Sequence, residues 1–102
     1  MGIAWPKETA RLLTELTGEA RPDMAMWIVL KDAVEHRLEQ IVTSERAYET
    51  KYGMPFEEYR RRWETLDAPA DYLFETERDY LEWEALVTRK ARLEKMRAGF
   101  PT

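Results

Sequence analysis

The sequence predicts an all-α protein, a long antiparallel helical hairpin with two shorter helices, assembled as a dimeric bundle. Two long segments carry apolar side chains at the three- and four-residue spacing of a helix and contain no internal glycine or proline. Glycine and proline instead cluster in short breaks, and no stretch alternates as a half-buried strand does. The chain has 102 residues, 44% of them apolar, which suits a single helical domain over residues 1–102.

The first helix is predicted at about residues 6–17. Pro6 fits the first turn of a helix, where its missing N–H group costs nothing. Gly18 is a C-terminal stop signal. Leucines follow at helical spacing between these two ends: Leu12, Leu13 and Leu16.

The second helix is predicted at about residues 22–52, from Pro22 to the break at Gly53, with a length of about 45 Å. A helix this long needs a long antiparallel neighbour, a second protomer, or both. One row of side chains recurs every seven residues and is the predicted dimer interface: Trp27, Val34, Ile41 and Tyr48.

The segment YETKYGMPFEEY, residues 48–59, separates the second helix from the third, which is predicted at about residues 55–65. Gly53 suits the left-handed conformation that closes a helix, and Pro55 suits the start of the next one. A hinge around a chemical site is the alternative interpretation. No phosphate-binding glycine pattern, nucleophile or base accompanies the break, so the sequence favours a corner between packed helices.

The fourth helix is predicted at about residues 70–98, after a break over residues 66–71. Pro69 biases the residue before it away from helix, and Gly99 and Pro101 are stop signals at the other end. Its apolar side chains form a broad stripe, wide enough for more than one neighbour: Leu73, Tyr80, Trp83, Leu86, Val87 and Leu93.

Acidic residues fill the first half of the fourth helix, and basic residues fill its second half. This order complements the helix dipole. An acidic docking face for a basic partner is a second interpretation, and paired acid–base catalysis is a third, although neighbouring positions on one helix form no cleft. Trp83 fits either a core position or an interface anchor. The predicted partner-binding residues are Asp79, Glu82, Trp83 and Glu84.

The sequence predicts neither an enzyme nor a cofactor or metal site. Asp32 and His36 share a helix face, but two ligands do not make a metal site, and no cysteine or second histidine adds to them. The absence of cysteine also excludes disulfides and a thiol nucleophile.

The net charge of −4 disfavours direct binding to nucleic acid, which usually begins from a basic surface. The longest apolar run, MAMWIVL at residues 24–30, is far shorter than a membrane span. The N-terminus MGIAWPKETA has neither the basic start nor the apolar core of a signal peptide. We therefore expect a cytoplasmic protein without a membrane partner.

Two segments together resemble a group of short bacterial and archaeal helical proteins: YETKYGMPFEEYRRRW, residues 48–63, and FETERDYLEWEALVTRKARLEKM, residues 74–96. The resemblance covers about half of the chain. It implies an antitoxin component of a prokaryotic toxin–antitoxin pair. Residues 15–38 also resemble the two helices of ribbon-helix-helix antitoxins, but MGIAW is too short and too apolar to supply their DNA-reading strand.

The sequence as a whole predicts a non-catalytic protein-binding module that forms a homodimer and neutralises a small basic toxin. A homo-oligomeric structural or scaffold protein with no toxin is the alternative. A small metal-dependent enzyme is a third hypothesis, and the sequence favours it least.

Overall fold

The computed structural model describes residues 4–65 and 74–101, and every regular element within them is an α-helix. The all-α class is therefore confirmed. The helices are α1 (Lys7–Thr17), α2 (Pro22–Tyr52), α3 (Phe56–Thr65) and α4 (Phe74–Ala98). The predicted break at residues 66–71 and the predicted first turn of the fourth helix lie outside the described residues.

Two glycines end the first two helices in the left-handed conformation. Gly18 has φ 76° and Gly53 has φ 69°. Their N–H groups donate hydrogen bonds of 2.8 Å and 2.7 Å to the carbonyl oxygens of Thr14 and Glu49. An L side chain is strained at such φ values, so the backbone at both helix ends requires glycine. The predicted left-handed conformation of Gly53 is confirmed.

Gly53→Ala is expected to lower the free energy of unfolding by roughly 1 kcal/mol, and Gly53→Val by more. A Cβ at Gly53 would meet no atom of residues 4–65 and 74–101 within 4 Å, so the expected cost comes from the backbone conformation. Urea unfolding followed by helical circular dichroism measures it. The control is Gly99→Ala, whose Cβ makes only an ordinary 3.6 Å contact with the Met96 carbonyl oxygen. An unchanged midpoint for Gly53→Val would contradict this account of the corner.

Helices α2 and α4 lie side by side and run in opposite directions. Polar contacts fix this direction, because the residue numbers fall along α2 as they rise along α4. The contacts join Lys51 to Asp79 at 2.6 Å, Tyr48 to Glu82 at 2.5 Å, Glu45 to Lys90 at 3.1 Å and Glu35 to Arg97 at 3.3 Å. The last of these pairs places the end of α4 beside Glu35, so the first turns of α2 extend past it.

The two short helices pack at opposite ends of the long pair. A four-residue connection, residues 18–21, folds α1 back onto the first turns of α2, where Leu13 and Ala25 are buried. At the other end, the corner at Gly53 turns α3 onto α4, where Phe56 and Tyr59 are buried. Each end of the molecule therefore has its own small group of buried side chains.

The molecule is long and thin. It measures 60 × 21 × 20 Å, and its radius of gyration is 19.9 Å, whereas a compact chain of this length has a radius of about 13 Å. Its accessible surface is 7827 Å², whereas a folded monomer of this mass exposes roughly 6,100 Å². The single chain therefore exposes roughly 1,700 Å² more surface than a typical monomer does.

Candidate functional site

Aromatic rings from three helices converge at the corner end of the molecule. Each helix contributes a pair at three- or four-residue spacing, which places both rings of the pair on one face. We call the group the aromatic cluster: Tyr48 and Tyr52 from α2, Phe56 and Tyr59 from α3, and Tyr80 and Trp83 from α4.

Trp83 lies at the centre of the aromatic cluster and is 0% exposed. Ring-centroid distances from Trp83 are 5.5 Å to Tyr48, 5.3 Å to Phe56 and 5.2 Å to Tyr59. Among the described residues, no group accepts a hydrogen bond from its buried indole Nε1. Trp83 therefore contributes mainly by packing, which is the core interpretation of this residue.

Asp79 is a buried carboxylate beside the aromatic cluster, with 4% of its surface exposed. The Lys51 ammonium donates to it at 2.6 Å and the Tyr52 hydroxyl at 2.5 Å. Burial raises the pKa of Asp79, but the hydrogen bonds from Lys51 and Tyr52 outweigh burial, so the pKa lies below its ordinary value of 3.8. Hydrogen bonding to Asp79, and then to Glu75, raises the pKa of Lys51. The group is thus a charged link between α2 and α4.

Two phenols of the cluster also contact acidic groups of α4. The Tyr48 hydroxyl donates to Glu82 at 2.5 Å. Burial, followed by this hydrogen bond, raises the pKa of Tyr48 to about 12. Burial and the bond to Asp79 likewise raise the pKa of Tyr52. Both phenols therefore stay protonated at neutral pH and act as hydrogen-bond donors.

The structure separates the four residues predicted to bind a partner. Asp79 and Trp83 are interior residues of the single chain, whereas Glu82 and Glu84 lie nearer the surface. Positions two apart on a helix point about 200° away from each other, so these glutamates face different sides of α4. The four residues therefore form no single exposed surface, because the aromatic cluster takes up the side between them. A role of Asp79, Glu82, Trp83 and Glu84 in partner binding stays a prediction.

The row predicted as the dimer interface lies mainly along the contact between α2 and α4. Val34 and Ile41 are buried in the single chain, and Tyr48 stacks on Trp83. These side chains are buried because α4 runs alongside the row. The ion pairs of Glu35 and Glu45 with basic residues of α4 show this arrangement. Of the four residues in the row, Trp27 is the most open to solvent.

An exposed nonpolar surface lies at the other end of the molecule, on α1 and the first turns of α2. We call it the apolar face. Its residues and their exposed fractions are Leu12 52%, Leu16 74%, Met24 37%, Trp27 41% and Ile28 38%.

The apolar face exists because the neighbouring helices leave this part of α2 uncovered. The end of α4 lies beside Glu35, and Phe100 beyond it reaches Trp27, at 5.8 Å between ring centroids. Leu12, Leu13 and Leu16 occur at helical spacing in α1, but of these three leucines only Leu13 is buried. The sequence does contain a signal for this face, because apolar residues occur four apart on both helices, next to the buried Leu13 and Ala25.

The described residues contain no group of three or more histidine, aspartate or glutamate side chains suited to a metal ion. Asp32 and His36 are both exposed on α2. Among the same residues, no helix combines the length and the nonpolar character that a membrane span requires.

Comparisons of this chain with protein-family models, with curated proteins and with solved structures returned no match. The antitoxin resemblance therefore rests on sequence segments alone. The fold and its surfaces define a broader class, an elongated α-helical protein that is firmly packed at one end and exposes an apolar face at the other.

Proposed function

We propose that this chain is a non-catalytic protein-binding module. The observation that carries the proposal is the apolar face, in which five large nonpolar side chains remain 37–74% exposed at one end of a thin molecule. Soluble monomers rarely expose contiguous nonpolar patches of more than a few hundred Å², and larger patches mark interaction sites. Binding to another protein covers such a surface.

The proposed partner is a small toxin, which the chain neutralises as an antitoxin in a prokaryotic cytoplasm. The two segments that resemble antitoxin-like proteins support this assignment, and they include the corner at Gly53 and the surroundings of Trp83. The net charge of −4 complements a basic, nucleic-acid-handling toxin and favours fast association with it. We also propose that the α2–α4 hairpin is assembled as a homodimeric bundle.

A growth assay tests this function. The chain is expressed together with the product of a small neighbouring reading frame from its native genome. We expect the neighbour alone to arrest growth and the chain to restore it. If the neighbour has no effect on growth, or if the chain does not relieve the arrest, the antitoxin assignment is wrong.

Charge reversal tests whether α4 is involved. The double variant Glu82→Lys with Glu84→Lys is expected to associate with the toxin several-fold more slowly at low salt, and the difference is expected to shrink at high salt because salt screens exposed charges. Glu57→Lys with Glu58→Lys is the matched control, because it makes the same change of charge on exposed positions of α3. If both double variants slow association equally, the effect comes from the net charge of the chain, and α4 has no specific role in binding.

A homo-oligomeric structural or scaffold protein is the second candidate, and the apolar face favours it as well. The growth assay separates the two candidates. A scaffold self-associates when purified alone but neither binds nor neutralises the product of a neighbouring gene.

A further inference from the structure

We propose that the apolar face is a self-association surface on which a second copy of this chain docks. The inference rests on the homodimer of the proposed function. It goes further by placing the interface on α1 and the first turns of α2, instead of on the row that follows Trp27 at seven-residue spacing.

The two helices contribute to the face through the same local pattern. In α1, Leu12 and Leu16 lie one residue before and three residues after the buried Leu13. In α2, Met24 and Ile28 lie at the same offsets from the buried Ala25. These offsets correspond to rotations of about 60–100° in the same sense around each helix.

The fold joins the two pairs into one surface. The four-residue connection folds α1 back along α2, and the buried Leu13 and Ala25 mark the sides on which the two helices pack. Because the chains of the two helices run in opposite directions, equal rotations from these facing residues point to the same side of the pair. Trp27 lies between Met24 and Ile28 along the chain and widens the surface around α2.

The exposed area of the molecule is sufficient for a second copy as the occupant. A standard stable interface removes about 800 Å² from each partner. The single chain exposes roughly 1,700 Å² beyond a typical monomer of its mass, so one such interface accounts for about half of the excess. The rest leaves room for the partner of the proposed function.

The composition and charge of the face also favour a second copy. Trp and Met, both present in the face, are residue types that interface centres prefer. The charges of α1 sum to zero, because Lys7 and Arg11 balance Glu8 and Glu15, and Arg11 pairs with both glutamates, with Glu15 at 2.6 Å. In a two-fold dimer the same patch serves both protomers, and one apolar face then covers the other.

Light scattering on the purified full-length chain tests the proposal. The wild type is expected to have a mass of about 24 kDa, twice the chain mass of 12.2 kDa. Leu16→Lys is expected to weaken the dimer by at least about tenfold in Kd, because it places a charge in a nonpolar interface. The side chain is mostly exposed in the single chain and lies in the last turn of α1, where a cation suits the helix dipole, so folding is expected to tolerate it.

Leu81→Lys is the matched control, because Leu81 is an equally nonpolar side chain, 56% exposed, on α4. This variant is expected to remain a dimer, and helical circular dichroism checks that both variants fold. A wild type that stays a monomer throughout a dilution series overturns the proposal. Dimers that survive Leu16→Lys, or that dissociate equally with Leu81→Lys, also overturn it.

Crosslinking provides a readout that does not depend on an introduced charge. The chain contains no cysteine, so Leu16→Cys and Leu81→Cys each carry a single reactive thiol. A short bifunctional maleimide is expected to link Leu16→Cys into dimers at low protein concentration and to leave Leu81→Cys mostly unlinked. The reverse pattern contradicts the proposed interface. All these measurements use the chain alone, so their failure is distinguishable from a failure to neutralise a toxin.

Discussion

Trp83→Ala is expected to remove about 3–5 kcal/mol from the free energy of unfolding, as Trp-to-Ala changes in protein cores do. The indole is 0% exposed and touches aromatic rings of both α2 and α3. Trp83 forms the main contact among the three helices at this end, and truncation to alanine replaces that contact with a cavity. A loss of this size is a large part of the total stability of a small domain. Urea unfolding at one fixed protein concentration measures it.

Trp83→Phe is the control for that prediction. It keeps a ring in the aromatic cluster and removes an Nε1 group that finds no hydrogen-bond acceptor in the described part of the chain. We expect Trp83→Phe to cost much less than Trp83→Ala. A stability loss below about 1 kcal/mol for Trp83→Ala would show that the aromatic cluster does not hold the corner end together.

Asp79→Asn is expected to remove about 1–3 kcal/mol at neutral pH, since it takes the charge from a buried, doubly hydrogen-bonded carboxylate. The pH dependence gives the sharper test. The folded-state pKa of Asp79 lies below its ordinary value of 3.8. Its stabilising contribution is therefore fully present above that value and is lost as pH falls through the lower folded-state pKa. The stability difference between the wild type and Asp79→Asn is expected to shrink on acidification below about pH 4.

Glu75→Gln is the control for Asp79→Asn. Glu75 accepts a hydrogen bond from the same Lys51 at 2.8 Å, but it is exposed, and exposed ion pairs contribute little. We expect its unfolding curve to stay close to that of the wild type. A difference between wild type and Asp79→Asn that stays constant from neutral to acidic pH would contradict the assigned role of Asp79.

The helices were predictable because their ends depend on local chemistry. Gly18 and Gly53 supply left-handed conformations, and Pro22 begins α2, so each signal acts within one or two residues of the boundary it sets. The observed bounds of α1, α2 and α3 lie within one residue of the predicted ones. Such signals need no knowledge of which helices become neighbours.

The surroundings of single side chains were less predictable, because they depend on which helices pack together. The spacing of Trp83 favoured a core position but was also consistent with an interface anchor, and rings of α2 and α3 enclose it in the structure. The regular row through Val34 and Ile41 predicted a contact, but a neighbouring helix of the same chain produces the same spacing as a second protomer.

The apolar face was missed for a related reason. Its exposure depends on where α4 ends relative to α2, and the pair of Arg97 with Glu35 reveals this register. Helical periodicity defines which side of α2 is nonpolar, but it carries no information about how far along that side a partner helix reaches.

The mass of the assembly formed in cells tests the central claim, protein binding, most directly. The chain is co-expressed with the neighbouring reading frame, purified, and measured by native mass spectrometry. We predict a complex of fixed stoichiometry that contains both products, with two copies of this chain. The contradicting result is that this chain is recovered alone or with copies of itself, and that no assembly contains the neighbouring product. That result would show that the chain does not neutralise a toxin by binding it.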